Sequence, residues 1–180
     1  MKKANDWRER MGRERNADWD RMADQMAPWP VVNGVYVEAE SVLEKDGGHP
    51  TQLAAYGFLP ASAYLDKEVM RKTLRHVLDN WDWADTWGWD FPLIAMTAIR
   101  LNEPEWALET LLKSVQKNTY LPNGHNFQNE GLPLSLPGNG GLLTVVAMMC
   151  AGWDGCTEGN PGFPKNGLWN VKWEGLKPAF

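Results

Sequence analysis

The chain has 180 residues, 43% of them hydrophobic, which is the length and composition of one globular domain with a sizeable core. Its net charge of −5 and the absence of any Lys/Arg cluster argue against a nucleic-acid partner, because phosphates demand a basic surface. The longest apolar run, 142–151, is too short to span a bilayer, so we expect no membrane partner either.

The N-terminal residues 1–15 are polar and heavily charged, with no apolar stretch that could serve in a secretory signal. As written, the chain is expected to stay in the cytoplasm, whereas a longer parent protein could be periplasmic or secreted. Cys150 and Cys156 could pair in an oxidising compartment, but their spacing is not that of a metal site. The cysteines therefore leave the compartment open.

Apolar periodicity divides the chain into short helices and a few extended segments. Asn33-Gly34 between β-branched residues is the strongest local signal, since Asn-Gly favours a tight hairpin turn. In chain order we expect two amphipathic helices within 6–27, a β-hairpin over 31–37, a loop over 44–48, an apolar helix over 51–58, an amphipathic helix over 66–81, an apolar helix over 91–99, an amphipathic helix over 102–115, a long loop over 122–141, an apolar helix over 142–151 and a strand over 169–173.

The apolar helices begin roughly 40 to 50 residues apart with an amphipathic helix between each pair, a pattern that is typical of helical-hairpin repeats. We therefore predict an all-α fold, a partial (α/α) toroid of alternating inner and outer helices, with a small β-hairpin and a C-terminal strand. Residues 1–180 would form a single domain. In such a toroid the segments before Pro50, Phe91 and Leu142 converge on one mouth.

The segment 81–92 is expected at this mouth, and it places four tryptophans and three aspartates directly before an apolar helix. Asp90 can accept hydrogen bonds from the first helical turn and Pro92 needs no donor there, so the helix is expected to begin near Phe91. Indole rings beside carboxylates suit a sugar-binding cleft. The alternative is a tryptophan-rich core in which Asp90 is only a helix cap.

Two tryptophans of this segment are expected to face the cleft together. Residues two apart in an extended segment point to the same side, which would place Trp87 and Trp89 on one surface. Gly88 between them would leave room for a ligand or for a turn, because it has no Cβ.

Amide and imidazole side chains near the mouth can donate and accept hydrogen bonds to sugar hydroxyls. The candidates for such contacts are His49, His125, Asn126 and Gln128. The alternatives are a partly buried His49 with a protein partner and a loop over 123–128 held by its own Asx-turns. No metal-binding or nucleotide-binding motif is present, so we expect no metal and no cofactor.

A set of short motifs resembles a known enzyme class. Gly88-Trp89, Arg100-Leu101, Ala107 and the run Pro137-Gly138-Asn139-Gly140-Gly141 before an apolar helix are similar to the C-terminal half of (α/α)6-barrel glycoside hydrolases, the six-hairpin glycosidases of families 65 and 95. The resemblance covers roughly residues 48–172. It implies hydrolysis of O-glycosidic bonds in an oligo- or polysaccharide, by inversion, and a substrate contact by Asn139.

The chain departs from this family in two respects. Family 95 enzymes place the general-base aspartate just before the Gly-Asn pair, where this sequence has Pro137. The family's general acid lies in the earlier half of the barrel, and a complete barrel needs about twice the helices that this chain supplies. The resemblance therefore implies a C-terminal half that requires a missing N-terminal domain, or that self-associates to cover its apolar edge.

Glycoside hydrolysis generally requires two carboxyl groups, one to protonate the leaving oxygen and one to activate water or attack the sugar. Asp82, Asp85, Asp90 and Glu130 are the acidic residues expected near the mouth. Asp90 is the best-placed catalytic candidate, because burial at a helix end could raise its pKa. The sequence thus predicts a glycoside hydrolase, and the alternative is a non-catalytic carbohydrate-binding or structural fragment that lacks the catalytic acid.

Overall fold

The computed structural model describes residues 1–39, 47–59 and 62–179, and these ranges are mostly helical. They contain seven α-helices and two antiparallel pairs of short strands, which confirms the all-α prediction in its coarse form. None of these helices combines the length and the hydropathy that a bilayer span requires. The helices are α1 (Lys2–Arg10), α2 (Ala17–Asp24), α3 (Ala54–Gly57), α4 (Lys67–Asn80), α5 (Asp90–Arg100), α6 (Pro104–Leu111) and α7 (Leu136–Ala151), and the strands are β1 (Val31–Val32), β2 (Val35–Tyr36), β3 (Thr119–Tyr120) and β4 (Asn126–Phe127).

Helix α5 is the centre of the fold, since all of its residues are buried and it contacts α3, α4, α6 and α7. Its interior sequence is apolar on every side apart from Thr97, and such a helix is stable only when other elements surround it. The Thr97 hydroxyl lies 3.1 Å from the carbonyl oxygen of Leu53. A Cβ on Gly57 would lie 2.3 Å from the same hydroxyl, so this glycine allows α3 to cross close to α5.

Helix α4 and the hairpin β1–β2 form as their sequences predict. Asp66 caps α4, because its carboxylate accepts hydrogen bonds from backbone N–H groups of the first turn. Asn33 and Gly34 form the hairpin turn with positive φ angles of 51° and 81°. The backbone N–H of Tyr36 donates to Thr73 Oγ1 at 2.8 Å, which fixes the hairpin against the buried face of α4.

Helix α7 begins at Leu136, so residues 138–141 lie in its first turns and not in the predicted loop. Pro137 accounts for this early start, because proline is accommodated in the first turn of a helix. Leu143 is 74% exposed whereas Val145 is fully buried. The expectation of an apolar core helix here therefore holds for one face only.

The C-terminal strand expected over 169–173 is wrong, since those residues form no strand pairing. Their alternating side chains contact other side chains instead. The Trp169 ring lies 5.2 Å from the Phe163 ring, centroid to centroid, and Trp173 Nε1 donates to Asn160 Oδ1 at 2.8 Å. Alternation favours a strand, but a strand forms only where a neighbouring backbone offers its hydrogen-bonding groups.

Two helices are shorter than their patterns predict. The helix expected over 51–58 begins with the 3-10 turn Thr51–Leu53 before α3. The helix expected over 102–115 ends at Leu111. Of the loop expected over 44–48, only residues 47–48 lie within the described ranges.

Candidate functional site

The candidate site is built on the turn 87–90, whose last residue, Asp90, is the first residue of α5. The backbone N–H of Asp90 donates to the carbonyl oxygen of Trp87 at 3.0 Å, and the N–H of Trp87 donates to Asp90 Oδ2 at 2.8 Å. The segment is therefore a closed turn and not the extended segment that the sequence suggested. Asp90 is the first residue of the helix, and its carboxylate accepts from the N–H of Trp87, which precedes the helix. The prediction that Asp90 caps the following turn is therefore wrong.

The carboxylate of Asp90 also pairs with His49. The imidazole Nδ1 lies 3.2 Å from Asp90 Oδ1 and 3.1 Å from Oδ2, and we call this pair the dyad. The Asp90 side chain has no exposed surface, whereas the His49 side chain is 37% exposed. The dyad therefore joins a buried carboxylate to an imidazole that reaches the surface.

Burial sets the electrostatics of the dyad. It raises the pKa of the Asp90 carboxyl from its usual 3.8 to about 6, because the charged form loses its hydration, while hydrogen bonds from Trp87 and His49 limit the rise. In its ionised form the carboxylate can accept a hydrogen bond from Nδ1–H of His49. With Nδ1 directed at Asp90, Nε2 is the ring nitrogen of His49 that is left to exchange a proton with a bound molecule.

Two indole rings pack against the same imidazole. The ring centroid of His49 lies 4.5 Å from that of Trp89 and 6.0 Å from that of Trp87. Both tryptophans thus contact one imidazole ring, and the turn, not an extended backbone, brings them together. The expectation that both face a sugar-binding cleft stays a prediction. Trp87 is 37% exposed, and it offers an aromatic surface beside the dyad.

Two lysines lie over indole rings of the segment 81–92. Lys117 Nζ lies 5.3 Å from the ring centroid of Trp87, and Lys113 Nζ lies 4.6 Å from that of Trp83. The Trp83 ring in turn stacks on Phe91 at the start of α5. The sequence analysis missed both lysines, because these contacts join segments that are far apart in the chain.

A network of amide side chains supports the turn from behind. Gln128 Oε1 accepts a hydrogen bond from the N–H of Gly88 at 3.0 Å, and Gln128 Nε2 donates to Asn126 Oδ1 at 2.7 Å. The N–H of Asn126 donates to Asn139 Oδ1 at 3.0 Å, which links the network to the first turn of α7. Asn126 and Gln128 are fully buried, so in this structure they hold the turn. Their predicted contact with a sugar stays a prediction.

The sequence analysis expected Gly88 to leave room for a ligand or for a turn, and the turn is what the structure shows. Gly88 also has a packing role and leaves no room for a ligand on the side where its Cβ would lie. A Cβ on Gly88 would lie 1.9 Å from Asn126 Oδ1 and 2.5 Å from Gln128 Nε2. A Cβ on Gly138 would lie 2.2 Å from the same Asn126 oxygen. The two glycines therefore enclose the Asn126 amide from both sides.

The other candidate residues lie outside the dyad. The N–H of His125 donates to Asn123 Oδ1 at 3.1 Å, which is the Asx-turn that was weighed as the alternative for this loop. Three of the four candidate acids, Asp82, Asp85 and Glu130, are exposed. Within the described ranges, no group of three or more His, Cys, Asp or Glu residues could hold a metal ion.

Comparison of the chain with protein-family models, with curated proteins and with solved structures finds no match. The resemblance to six-hairpin glycosidases therefore rests on its short motifs alone. The dyad and the aromatic surface beside it are the features of the structure that bear on function.

Proposed function

We propose that this chain is a carbohydrate-active protein that binds a saccharide over Trp87 and His49. The observation that carries the proposal is an exposed indole next to a partly exposed imidazole whose Nδ1 is held by a buried carboxylate. A pyranose ring presents an apolar face and a rim of hydroxyls, which suit an indole surface and a hydrogen-bonding nitrogen respectively. The substrate class is therefore an oligo- or polysaccharide.

We further propose that the chain contributes this site to a glycoside hydrolase. Asp90 is fully buried and cannot itself touch a glycosidic oxygen, so its role is to orient His49 and to stabilise positive charge on the imidazole. His49 Nε2 is then the group that transfers a proton at the substrate. The sequence predicted that Asp90 is the reacting carboxyl. In this proposal it is a positioning residue that acts through His49.

The packing order of the helices supports a partial (α/α) toroid. α3 and α7 both contact the central α5, and the amphipathic helices α4 and α6 alternate with them along the chain. Hydrolysis generally requires two carboxyl groups, and the dyad contains one. In this proposal, further hairpins and a second carboxyl come from another domain or another copy, which would also cover the exposed apolar Leu143.

A second candidate function is carbohydrate binding without catalysis. This function is favoured by the positions of the four candidate acids. Asp90 is the one that belongs to the site, and its side chain is buried. Binding requires the aromatic surface and the imidazole but no pair of acids.

Titration calorimetry against a panel of neutral oligosaccharides, followed by an assay for released reducing ends, tests both functions. Binding with turnover supports the hydrolase, and binding without turnover supports the non-catalytic protein. If no glycan binds, both proposals are wrong.

A further inference from the structure

Lys117 places a positive charge beside the aromatic surface. Its Nζ lies 5.3 Å from the ring centroid of Trp87, and the ring of His49 lies 6.0 Å from the same indole, centroid to centroid. A saccharide that covers the exposed part of Trp87 therefore comes within reach of both side chains. The proposed function uses the indole and the imidazole but assigns no role to this ammonium group.

The amide network that holds the turn also positions Lys117. Gln128 Oε1 accepts from the N–H of Gly88, and Gln128 Nε2 donates to the carbonyl oxygen of Lys117 at 3.3 Å. Asn126 Nδ2 donates to the same carbonyl oxygen at 3.2 Å. Because Asn126 and Gln128 are fully buried, one network fixes the backbone of Lys117 together with the backbone beside Trp87.

The ammonium group of Lys117 has no acidic partner in the described part of the chain, where it forms no ion pair. The carboxylate of Asp90 is paired with His49. The other three candidate acids form no ion pair with a described residue: Asp82, Asp85 and Glu130. A lysine ammonium carries a positive charge and three donors, so an anionic group of a ligand matches it.

A second pair of a lysine and an indole lies on the same segment. Lys113 Nζ lies 4.6 Å from the ring centroid of Trp83, and Lys113 also forms no ion pair among the described residues. Lys113 lines a cavity of about 470 Å³ at the end of α6, and the other described residues of that lining are uncharged. An oligomer that extends from Trp87 to Trp83 therefore meets a second positive charge.

We infer that the saccharide bound over Trp87 is acidic and that Lys117 binds its anionic group, a carboxylate or a sulfate. A uronate unit presents an apolar ring face to the indole and a carboxylate to the ammonium. A charge-assisted hydrogen bond of this kind is roughly twice as strong as a neutral one. The inference rests on the proposed function, because it takes the ligand to be a saccharide, and it adds the chemical class of that ligand.

Titration calorimetry with one oligomer in charged and uncharged forms tests the inference. Tetragalacturonate and its fully methyl-esterified form share a sugar skeleton and differ in charge. The acid should bind at least about tenfold more tightly than the ester, as expected of a charge-assisted contact. A sulfated galactan tetrasaccharide and its desulfated form repeat the comparison, and a preference within one pair alone identifies the anionic group. Equal affinities within both pairs would overturn the inference.

Three lysine variants locate the effect. Lys117→Gln should abolish the preference for the acid, whereas Lys117→Arg keeps the charge and should keep the preference. Lys67→Gln, which changes an exposed lysine at the start of α4, is the matched control and should keep it too. The amide network bonds only the backbone of Lys117, so all three variants should unfold at similar temperatures. A preference that survives Lys117→Gln, or that Lys67→Gln also removes, would overturn the inference.

The outcomes also separate this inference from the proposed function. If acidic and neutral oligosaccharides bind equally and Trp87→Ala weakens both, the acidic class is wrong and the proposed function stands. If citrate, an anion without a sugar ring, competes as tightly as tetragalacturonate, the site recognises anions in general and both saccharide assignments fail. If no oligosaccharide binds, both proposals fail.

Discussion

His49 Nδ1 lies 3.1 Å from Asp90 Oδ2, and this contact joins a fully buried carboxylate to a partly exposed imidazole. It joins the segment before α3 to the first residue of the central helix α5. Loss of either partner would leave the other with an unmatched polar group, which is costly inside a protein. The dyad thus couples the integrity of the fold to the chemistry that we assign to the site.

The first prediction concerns pH. The folded pKa of Asp90, about 6, lies above its usual value of 3.8, so the folded state binds a proton more tightly than the unfolded state. The contribution of Asp90 to stability is therefore complete below pH 4 and is lost as the pH rises through 6. We expect the free energy of unfolding of the wild type to fall by about 2–3 kcal/mol across this window relative to Asp90→Asn.

Urea unfolding of both proteins at several pH values between 4 and 7 measures this difference. Asp85→Asn is the control, because Asp85 is an exposed aspartate of the same segment, and it should follow the wild type. A difference between wild type and Asp90→Asn that stays constant over the window would contradict the assigned burial of the Asp90 carboxyl.

The second prediction concerns Gly88. Its Cβ position lies 1.9 Å from Asn126 Oδ1, and that amide is itself held by hydrogen bonds to Gln128 and to the carbonyl oxygens of Lys117 and Thr119. Gly88→Ala should lower the free energy of unfolding by about 2–3 kcal/mol. Gly140→Ala is the control, because nothing lies within 4 Å of its Cβ position and alanine favours the helix by about 1 kcal/mol. If Gly88→Ala and Gly140→Ala have the same unfolding temperature, the packing role of Gly88 is disproved.

The third prediction concerns Gln128, whose Oε1 accepts the buried N–H of Gly88. Gln128→Ala should cost about 1–3 kcal/mol, because that N–H then loses its partner without gaining water. Hydrogen exchange of the Gly88 amide should become faster in this variant. Gln25→Ala, an exposed residue at the end of α2, is the control and should change neither quantity. Unchanged exchange at Gly88 would show that the amide network does not hold the turn.

Local sequence signals accounted for much of the fold. Asp66 before an amphipathic run predicted the start of α4, Asn33-Gly34 predicted the hairpin, and the apolar run after Asp90 predicted the buried α5. In each case the residues that determine the structure are neighbours in the chain, so their physical effect is local. The C-terminal strand failed for the opposite reason, since a strand depends on a distant partner that its own pattern cannot specify.

The composition of the candidate site was predicted better than its geometry. His49, Trp87, Trp89 and Asp90 meet as one cluster, as their placement before successive helices suggested. The pairing of His49 with Asp90 was not foreseen, because it depends on how α3 packs on α5 through Gly57. The roles of Asn126 and Gln128 as internal supports likewise follow from tertiary packing and not from residue type.

The most direct test of the account compares glycan affinity in two tryptophan variants. Trp87→Ala removes the indole beside the dyad, whereas Trp7→Ala removes a more exposed indole on α1, remote from the site in sequence. We predict that Trp87→Ala weakens oligosaccharide binding by about 0.5–1.5 kcal/mol while its unfolding temperature stays close to that of Trp7→Ala, whose affinity matches the wild type. Equal affinity in the two variants would contradict a saccharide site at Trp87. A loss of about 3–5 kcal/mol in the stability of Trp87→Ala alone would place this indole in the core and would contradict the site as well.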